Sequence, residues 1–371
     1  MKKSNFTSSS FRRVAIIGVG VIGGSLGLAI KRRFRSTYVV GMDRRDVLRK
    51  ALKRGAIDEG TTRLSVAVDG ADLVLLATPV SVIFAFLPKL AKFISPHTLV
   101  SDVGSVKDSI VHAAVRCFPG GNFIGGHPMA GVELSGVEAA HPLLFENAVY
   151  VLTPTRHNPS SLVRRFAGFL EELGARIAIL DARTHDEVAS AVSHLPQLTA
   201  VALTNVAGHR HKSSRRHLRL AAGGFRDLTR IASSKPEIWK DILSYNSDEI
   251  RKSLDLLIRE LATYRKLLKG RRSSSLITNF RTARHIRNNI PKSMKGFLHP
   301  LAEVTVFVHD QPGMIAKLTA VLAKAKINIK DIELMKVREG RGGTFHLAFE
   351  SREVSAHAAA LLRKAGFEIG E

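Results

Sequence analysis

Short apolar runs alternate with amphipathic stretches through the first half of the chain. Runs at 14–17, 38–42, 73–77, 98–102, 123–124, 149–152 and 176–180 read as strands, with helical spacing between them. Strands alternating with helices predict a doubly wound, mostly parallel Rossmann-like α/β sheet over residues 12–181. From Thr184 the pattern turns helical and stays so to about Ile290, predicting an all-α domain over 182–290. Thr184 and Glu187 stand at capping-box spacing, and Pro196 should kink the helix they open by removing a donor from its ladder. Residues 291–300 read as a basic linker. Beyond it, 303–308 alternates with Val304, Val306 and Val308 on one face. A helix, strands near 327–337 and 344–350, a helix at 354–365 and a short closing strand complete a ferredoxin-like βαββαβ module over 301–371. Residues 1–11 are expected to be disordered.

The chemistry starts where the first strand breaks. Gly18-Val19-Gly20-Val21-Ile22-Gly23 follows Val14–Ile17 and opens an apolar helix, the setting a dinucleotide turn requires. Gly18 allows the tight turn, Gly20 lets backbone approach a pyrophosphate, and Gly23 lets helix and strand pack closely. The helix start offers N–H groups to the phosphates. Asp43 ends the second strand, near the spacing at which a carboxylate accepts from the adenosine ribose diol. It would repel a 2′-phosphate, which favours NAD over NADP, although Arg44 and Arg45 follow it directly.

Composition narrows the class. Of 371 residues, 56 are Lys or Arg and 32 are Asp or Glu, a formal net charge of +24. Such a balance invites a nucleic-acid reading, but the basic residues are dispersed and only 6% of the chain is aromatic, leaving few stacking platforms. The charge reads instead as solvated surface and as steering for an anionic substrate and cofactor. One cysteine, Cys117, excludes an internal disulfide framework and a cysteine-based zinc cluster, and no metal site is expected. Residues 1–13 lack the apolar core of a signal or anchor, and no apolar run reaches spanning length. A cytoplasmic protein without membrane or nucleic-acid partners is expected.

Further candidates lie beyond the carboxyl ends of the strands, where ligands sit in such sheets. Thr78 and Pro79 on one segment, and Asp102 with Ser105 on another, should border the nicotinamide. Ser105, three residues before Asp108, reads equally as a helix cap. His127 stands between Gly126 and Pro128 on what reads as an irregular turn, open to a general-base role or a structural one. In the helical half, Pro196 lies beside His194 and Gln197. Arg226 and Arg230, four apart after Gly223-Gly224, suit bidentate carboxylate recognition or an exposed helix face. Leu276, Phe280, Ala283, Ile286 and Ile290 recur at helical spacing, as core or subunit contact.

Taken together, GVGVIGGSLGLAI, DVGSVK, GGHPMAGVELSG, THD…SHLPQ, GGFRDLTRIASSKPEIW and VFVHDQPGMIAKLTAVLAKAKINI resemble the prephenate dehydrogenase family in its form with a C-terminal ACT domain. The resemblance covers nearly the whole chain. It implies a Rossmann-like domain, a helical domain that makes a homodimer, and NAD-dependent oxidative decarboxylation of prephenate to 4-hydroxyphenylpyruvate, which leads to tyrosine. It implies His127 as base or hydrogen-bond acceptor, Ser105 as its aid, Arg230 on a substrate carboxylate, Arg226 and Trp239 lining the pocket, and Glu133 at a gating position. It also suggests that Asp310-Gln311-Pro312-Gly313, between a strand and a helix start, holds tyrosine as a feedback effector, unless the module is structural.

Two positions depart from the family pattern. Gln197 stands where the family often has a second histidine, and Val132 where Ser or Thr commonly precedes the glutamate. Both leave arogenate, the amino counterpart, open beside prephenate. Two other functions compete. A 3-hydroxyacid dehydrogenase would place its lysine or His–Glu pair in the helical domain. A non-catalytic NAD-sensing, amino-acid-binding regulator would not need His127 and Arg230 in one cleft.

Overall fold

The computed structural model describes residues 11–130, 135–209, 221–270, 273–289, 301–309, 311–338 and 342–370. By its internal contacts the chain divides into two compact units, Met1–Leu276 and Ile277–Glu371.

The first unit opens with β1 (Arg13–Ile17), α1 (Val21–Arg33), β2 (Tyr38–Met42), α2 (Arg45–Lys53), β3 (Glu59–Thr61), α3 (Leu64–Val68), β4 (Leu73–Leu76) and α4 (Val80–Leu90). It continues with β5 (Leu99–Asp102), α5 (Asp108–Cys117), β6 (Phe123–Pro128), β7 (Val149–Thr153), α6 (Ser160–Glu172) and β8 (Arg176–Ile179). These strands form one eight-stranded sheet in the order β3-β2-β1-β4-β5-β6-β7-β8. All pairings are parallel except β6 with β7. The expected doubly wound sheet is therefore present, with one antiparallel joint. The edge strand β3, Glu-Gly-Thr, carries no apolar alternation and so gives no strand signal in the sequence.

Strand β1 explains why both faces must be covered. Val14 and Ile16 enter a core with Leu26, Ile30, Phe166 and Phe169 of α1 and α6. Ala15 and Ile17 enter a second core with Leu76, Ile83, Leu87 and Ile110. Alternate residues point to opposite faces, so an apolar run without polar breaks belongs to a sheet buried on both sides. Phe11, expected within a disordered N-terminus, is instead fully buried edge-on against Phe169, with the Arg165 guanidinium over its ring.

Helices follow: α7 (Ala182–Ala189), α8 (Leu195–His209), α9 (Gly223–Thr229), α10 (Pro236–Tyr245), α11 (Ser247–Lys269) and α12 (Ser273–Asn289). Ile242 and Ile250, from α10 and α11, join the second core of the sheet domain. Two expectations about α7 need correction. Its cap is Asp181, whose side chain accepts from Thr184 N, rather than Thr184 with Glu187. Pro196 produces no simple kink: one π-helical stretch, Ser190–His194, sits between α7 and α8. A proline that cannot donate to Val192 forces a wider turn, and such turns cluster at functional sites.

The second unit has β9 (Ala302–Val308), α13 (Met314–Lys324), β10 (Asp331–Arg338), β11 (Gly342–Phe349), α14 (Arg352–Lys364) and β12 (Glu368–Gly370). Its sheet runs β10-β11-β9-β12, all antiparallel, the expected βαββαβ module. Val304, Val306 and Val308 face Leu318, Leu322, Ala358 and Leu362 in its own core. Of the stripe at helical spacing, Phe280 and Ile286 of α12 are 75% and 60% exposed, Leu276 is half-buried, and Ile290 lies outside the described residues.

Candidate active site

A cleft of about 370 Å³ opens at the carboxyl ends of β1 and β2, lined by Ile17, Gly18, Met42, Asp43, Arg44, Thr62, Thr78 and Phe86. The glycine turn forms its floor. Gly18 has φ of +93°, and a Cβ there would stand 2.5 Å from the Ala77 carbonyl oxygen. A Cβ on Gly23 would lie 1.9 Å from the Gly18 oxygen, whereas one on Gly20 would meet nothing within 4 Å. Two glycines thus serve the fold, and the third keeps space open in front of α1. No side chain caps α1. Its first N–H groups and dipole end face that space, as anion binding requires. Val21 and Ile22 form the half-buried first turn of α1.

Asp43 Oδ2 accepts from Val19 N at 2.8 Å, and Oδ1 accepts from Arg44 N at 2.7 Å. The carboxylate braces the turn and, with about four lone-pair sites, can still accept ribose hydroxyls. Arg44 and Arg45 are exposed, and Arg44 pairs only loosely with Asp46, at 3.8 Å. Thr78 Oγ1 is buried without a partner at the cleft wall, and Pro79 beside it is exposed. An orphaned hydroxyl and an uncapped helix start fit a bound dinucleotide.

Asp102 departs from expectation. It is fully buried, and its carboxylate is consumed by Gly104 N (2.8 Å), Gly126 N (3.3 Å) and the Lys107 ammonium, so it anchors the wall rather than lining the cleft. Lys107, also fully buried, donates to the Gly126 carbonyl at 2.7 Å. Burial pushes its pKa down, opposed by Asp102 and Asp186. The pair fastens β5, β6 and the start of α5, one residue from His127.

His127 sits within β6 opposite Val151, not on an irregular turn. The glycines before it allow the strand to run close to its neighbours: a Cβ on Gly126 would meet the Asp102 carbonyl oxygen at 2.7 Å. His127 Nδ1 and His185 Nε2 share a hydrogen bond of 2.8 Å, and His185 Nδ1 is 2.7 Å from Asp186 Oδ1. Its Nε2 has no hydrogen-bond partner among the described residues. Burial holds the His127 pKa well below 6.5, helped by His185, Lys107 and His194. The ring is therefore neutral near neutrality and able to accept a proton.

A second histidine, His194, lies within electrostatic reach of the first. The Asn246 amide nitrogen lies 2.9 Å from the Asp186 carbonyl and 3.3 Å from His194 Nδ1. Turned over, the amide would set its oxygen against that carbonyl, so both of its hydrogens are spent here. His194 Nδ1 consequently accepts, and its Nε2 carries a hydrogen. That Nε2 is buried without a partner. Desolvation lowers the His194 pKa to about 4. Trp239, half-buried, meets the ring edge-on at a centroid distance of 6.0 Å.

The other expected residues are placed as follows. Ser105 is half-buried, hydrogen-bonded to no side chain among the described residues, and does not cap α5; Asp186 does, accepting from Lys107 N (2.7 Å) and Asp108 N (2.9 Å). Gln197 is buried and donates to the Ile231 carbonyl at 3.0 Å, tying α8 to the turn that begins at Arg230. Arg226 and Arg230 are both exposed. Glu133 and Val132, like Asp310, lie outside the described residues. The sequence pattern does not mark Lys107, His185, Asp186 or Asn246 as site residues, although DVGSVK and THD contain three of them. Their signal is polar residues inside otherwise apolar packing, which spacing alone does not reveal.

A nucleotide-binding doubly wound domain, joined to helices that bring a second histidine beside the first, defines a dinucleotide-dependent oxidoreductase. The sequence matches the family models described as "Prephenate dehydrogenase, nucleotide-binding domain" over residues 26–179, "Prephenate dehydrogenase, dimerization domain" over 181–282 and "ACT domain" over 302–367. It is 37% identical to a prephenate dehydrogenase of Bacillus subtilis over 91% of this chain and 92% of that one. Among solved structures, the prephenate dehydrogenase of A. aeolicus, in complex with hydroxyphenyl propionate and NAD+, shares 32% identity at a TM-score of 0.71, covering 76% of this chain and 100% of that one. An arogenate dehydrogenase of Synechocystis follows at 31% and 0.65, covering 74% and 99%. The chain belongs to the prephenate dehydrogenase family. The first match begins at residue 26, so the glycine turn is assigned from its own geometry.

Proposed function

We propose that this protein catalyses NAD-dependent oxidative decarboxylation of prephenate to 4-hydroxyphenylpyruvate, a step toward tyrosine. One observation carries the reading: a buried, uncharged His127 whose Nδ1 is engaged while Nε2 stays open at the carboxyl end of β6. NAD+ held over the glycine turn would supply the hydride acceptor, with the start of α1 on its pyrophosphate and Asp43 on its ribose. His127 Nε2 takes the proton of the ring hydroxyl as hydride leaves that carbon. The electrons of the breaking carbon–carboxylate bond pass into the ring, and carbon dioxide departs. Aromatisation drives the step, so positioning and proton removal are the protein's main contributions. The His194 Nε2–H donates to a substrate oxygen, Ser105 helps position the hydroxyl, Arg230 and Arg226 attract the carboxylates, and Trp239 and Glu133 border the pocket.

Gln197 favours a second substrate. It is neutral where the family often has histidine, and its Nε2 donates to the Ile231 carbonyl. Loss of a cation near the side chain suits arogenate as well as the keto acid. NADH absorbance after mixing the enzyme with NAD+ and prephenate, then with arogenate, tests both; no NADH with either refutes the dehydrogenase.

We further propose a homodimer with tyrosine feedback in the cytoplasm. Ile258, Leu261 and Leu268 lie on one side of α11 and are all more than half exposed, an apolar face suited to a second copy. In the second unit Gly313, at φ +87°, ends the Gln311-Pro312-Gly313 turn, and no side chain caps α13, so its N–H groups can hold a carboxylate. A free cysteine fits a reducing compartment, and among the described residues no helix is long and apolar enough to cross a membrane. Tyrosine should bind the intact enzyme by calorimetry and slow its turnover; neither effect would leave the module structural.

A further inference from the structure

Asp186 gathers hydrogen bonds from three directions. Lys107 N donates to Oδ1 at 2.7 Å, Asp108 N to Oδ2 at 2.9 Å, and His185 Nδ1 stands 2.7 Å from Oδ1. With backbone N–H groups donating to both of its oxygens at a helix start, the carboxylate acts as an acceptor toward His185 as well. His185 must then carry its hydrogen on Nδ1. A neutral imidazole has a single N–H, so His185 Nε2 is a lone pair. The atom 2.8 Å from that lone pair is His127 Nδ1, which must be the donor. The only lone pair left on His127 is on Nε2.

We propose that Asp186 and His185 act as positioning residues, locking His127 in the Nδ1–H tautomer and stabilising the imidazolium it becomes. The proposal rests on His127 as the base. When Nε2 takes the substrate proton, the bond from Nδ1–H to His185 becomes charge-assisted and strengthens, and the positive charge is answered through His185 by the Asp186 carboxylate. All three groups are at least nine-tenths buried, so no water substitutes for the chain. Asn246 holds the Asp186 carbonyl from the other side, and Asp186 spans from α7 to the start of α5. Tautomer setting by a buried carboxylate is the role of the aspartate in serine-protease triads, here extended by one imidazole. The charged and titratable groups facing His127 are His185, His194 and Lys107, with Asp186 behind His185.

The test compares His185→Phe, which removes the lone pair but leaves Asp186 capping α5, with His185→Gln, whose side-chain oxygen can still accept from His127. His185→Phe should lower kcat roughly 10–100-fold, the usual effect of losing an orienting partner, while KM for NAD+ stays constant. His185→Gln should recover most of that loss. Nitrogen-15 NMR of histidine-labelled full-length enzyme should place the hydrogen of neutral His127 on Nδ1 in the wild type and on a mixture of both nitrogens in His185→Phe. A wild-type spectrum with His127 protonated on Nε2 overturns the relay whatever the kinetics. So does wild-type kcat in His185→Phe. If His127→Ala keeps its activity, the base assignment fails instead, a separate result that the tautomer measurement does not share.

Discussion

Lys107 and Asp102 form an ion pair with no solvent exposure on either side chain, and removing one partner exposes how much the pair matters. Lys107→Met keeps the length and apolar stem of the side chain but deletes the ammonium. Asp102 then retains only Gly104 N and Gly126 N as donors, at 2.8 and 3.3 Å, and the Gly126 carbonyl loses its side-chain partner. Breaking a buried pair from one side costs about 3–5 kcal/mol, because the remaining charge stays desolvated and unpaired. That is a large fraction of a typical stability of roughly 5–15 kcal/mol. For a domain of this size it corresponds to a fall in Tm of roughly 6–20 °C. Replacing both residues, Lys107→Met with Asp102→Asn, leaves no unpaired ion and should cost less than Lys107→Met alone. Urea and thermal unfolding followed by circular dichroism measure all three variants. A shift in Lys107→Met below about 1 kcal/mol, or a double variant weaker than the single one, would refute the assignment of Lys107 as the clamp on the wall.

His127→Ala should lower kcat roughly 10²–10⁴-fold with NAD+ affinity unchanged, measured by initial rates and by fluorescence titration. Because the His127 pKa lies well below 6.5, the acid limb of kcat should also lie below pH 6.5; a limb at or above it contradicts the buried neutral ring. Stability carries the same sign. His194, at about 4 when folded and 6.5 when unfolded, contributes fully above pH 6.5, and that contribution is lost as pH falls toward 4. The loss is on the order of 3 kcal/mol, read from urea midpoints against pH. Asp43→Ser should weaken NAD+ and improve NADP+ relative to it, compared by KM; a wild type that already prefers NADP+ would show Arg44 and Arg45 to dominate.

What the sequence by itself determined is local and periodic. Gly18, Gly20 and Gly23 announced a nucleotide turn because backbone conformation and close approach admit no other residue at two of those positions. The apolar runs of β1, β4 and β5 announced a sheet buried on both faces, and alternation at Val304, Val306 and Val308 announced a half-covered one. Tertiary structure alone decided the surroundings of His127. Its partner His185 is 58 positions away, and Asp186, which caps α5, is 78 positions from Asp108. No spacing rule links such residues, because their meeting depends on how a helical segment packs against the end of a sheet. The same packing buried Asp102, which the sequence assigned to the cofactor, while the kink expected at Pro196 takes the form of a π-helical stretch just before it. Periodicity reports which face a side chain occupies; only the assembled fold determines what that face meets.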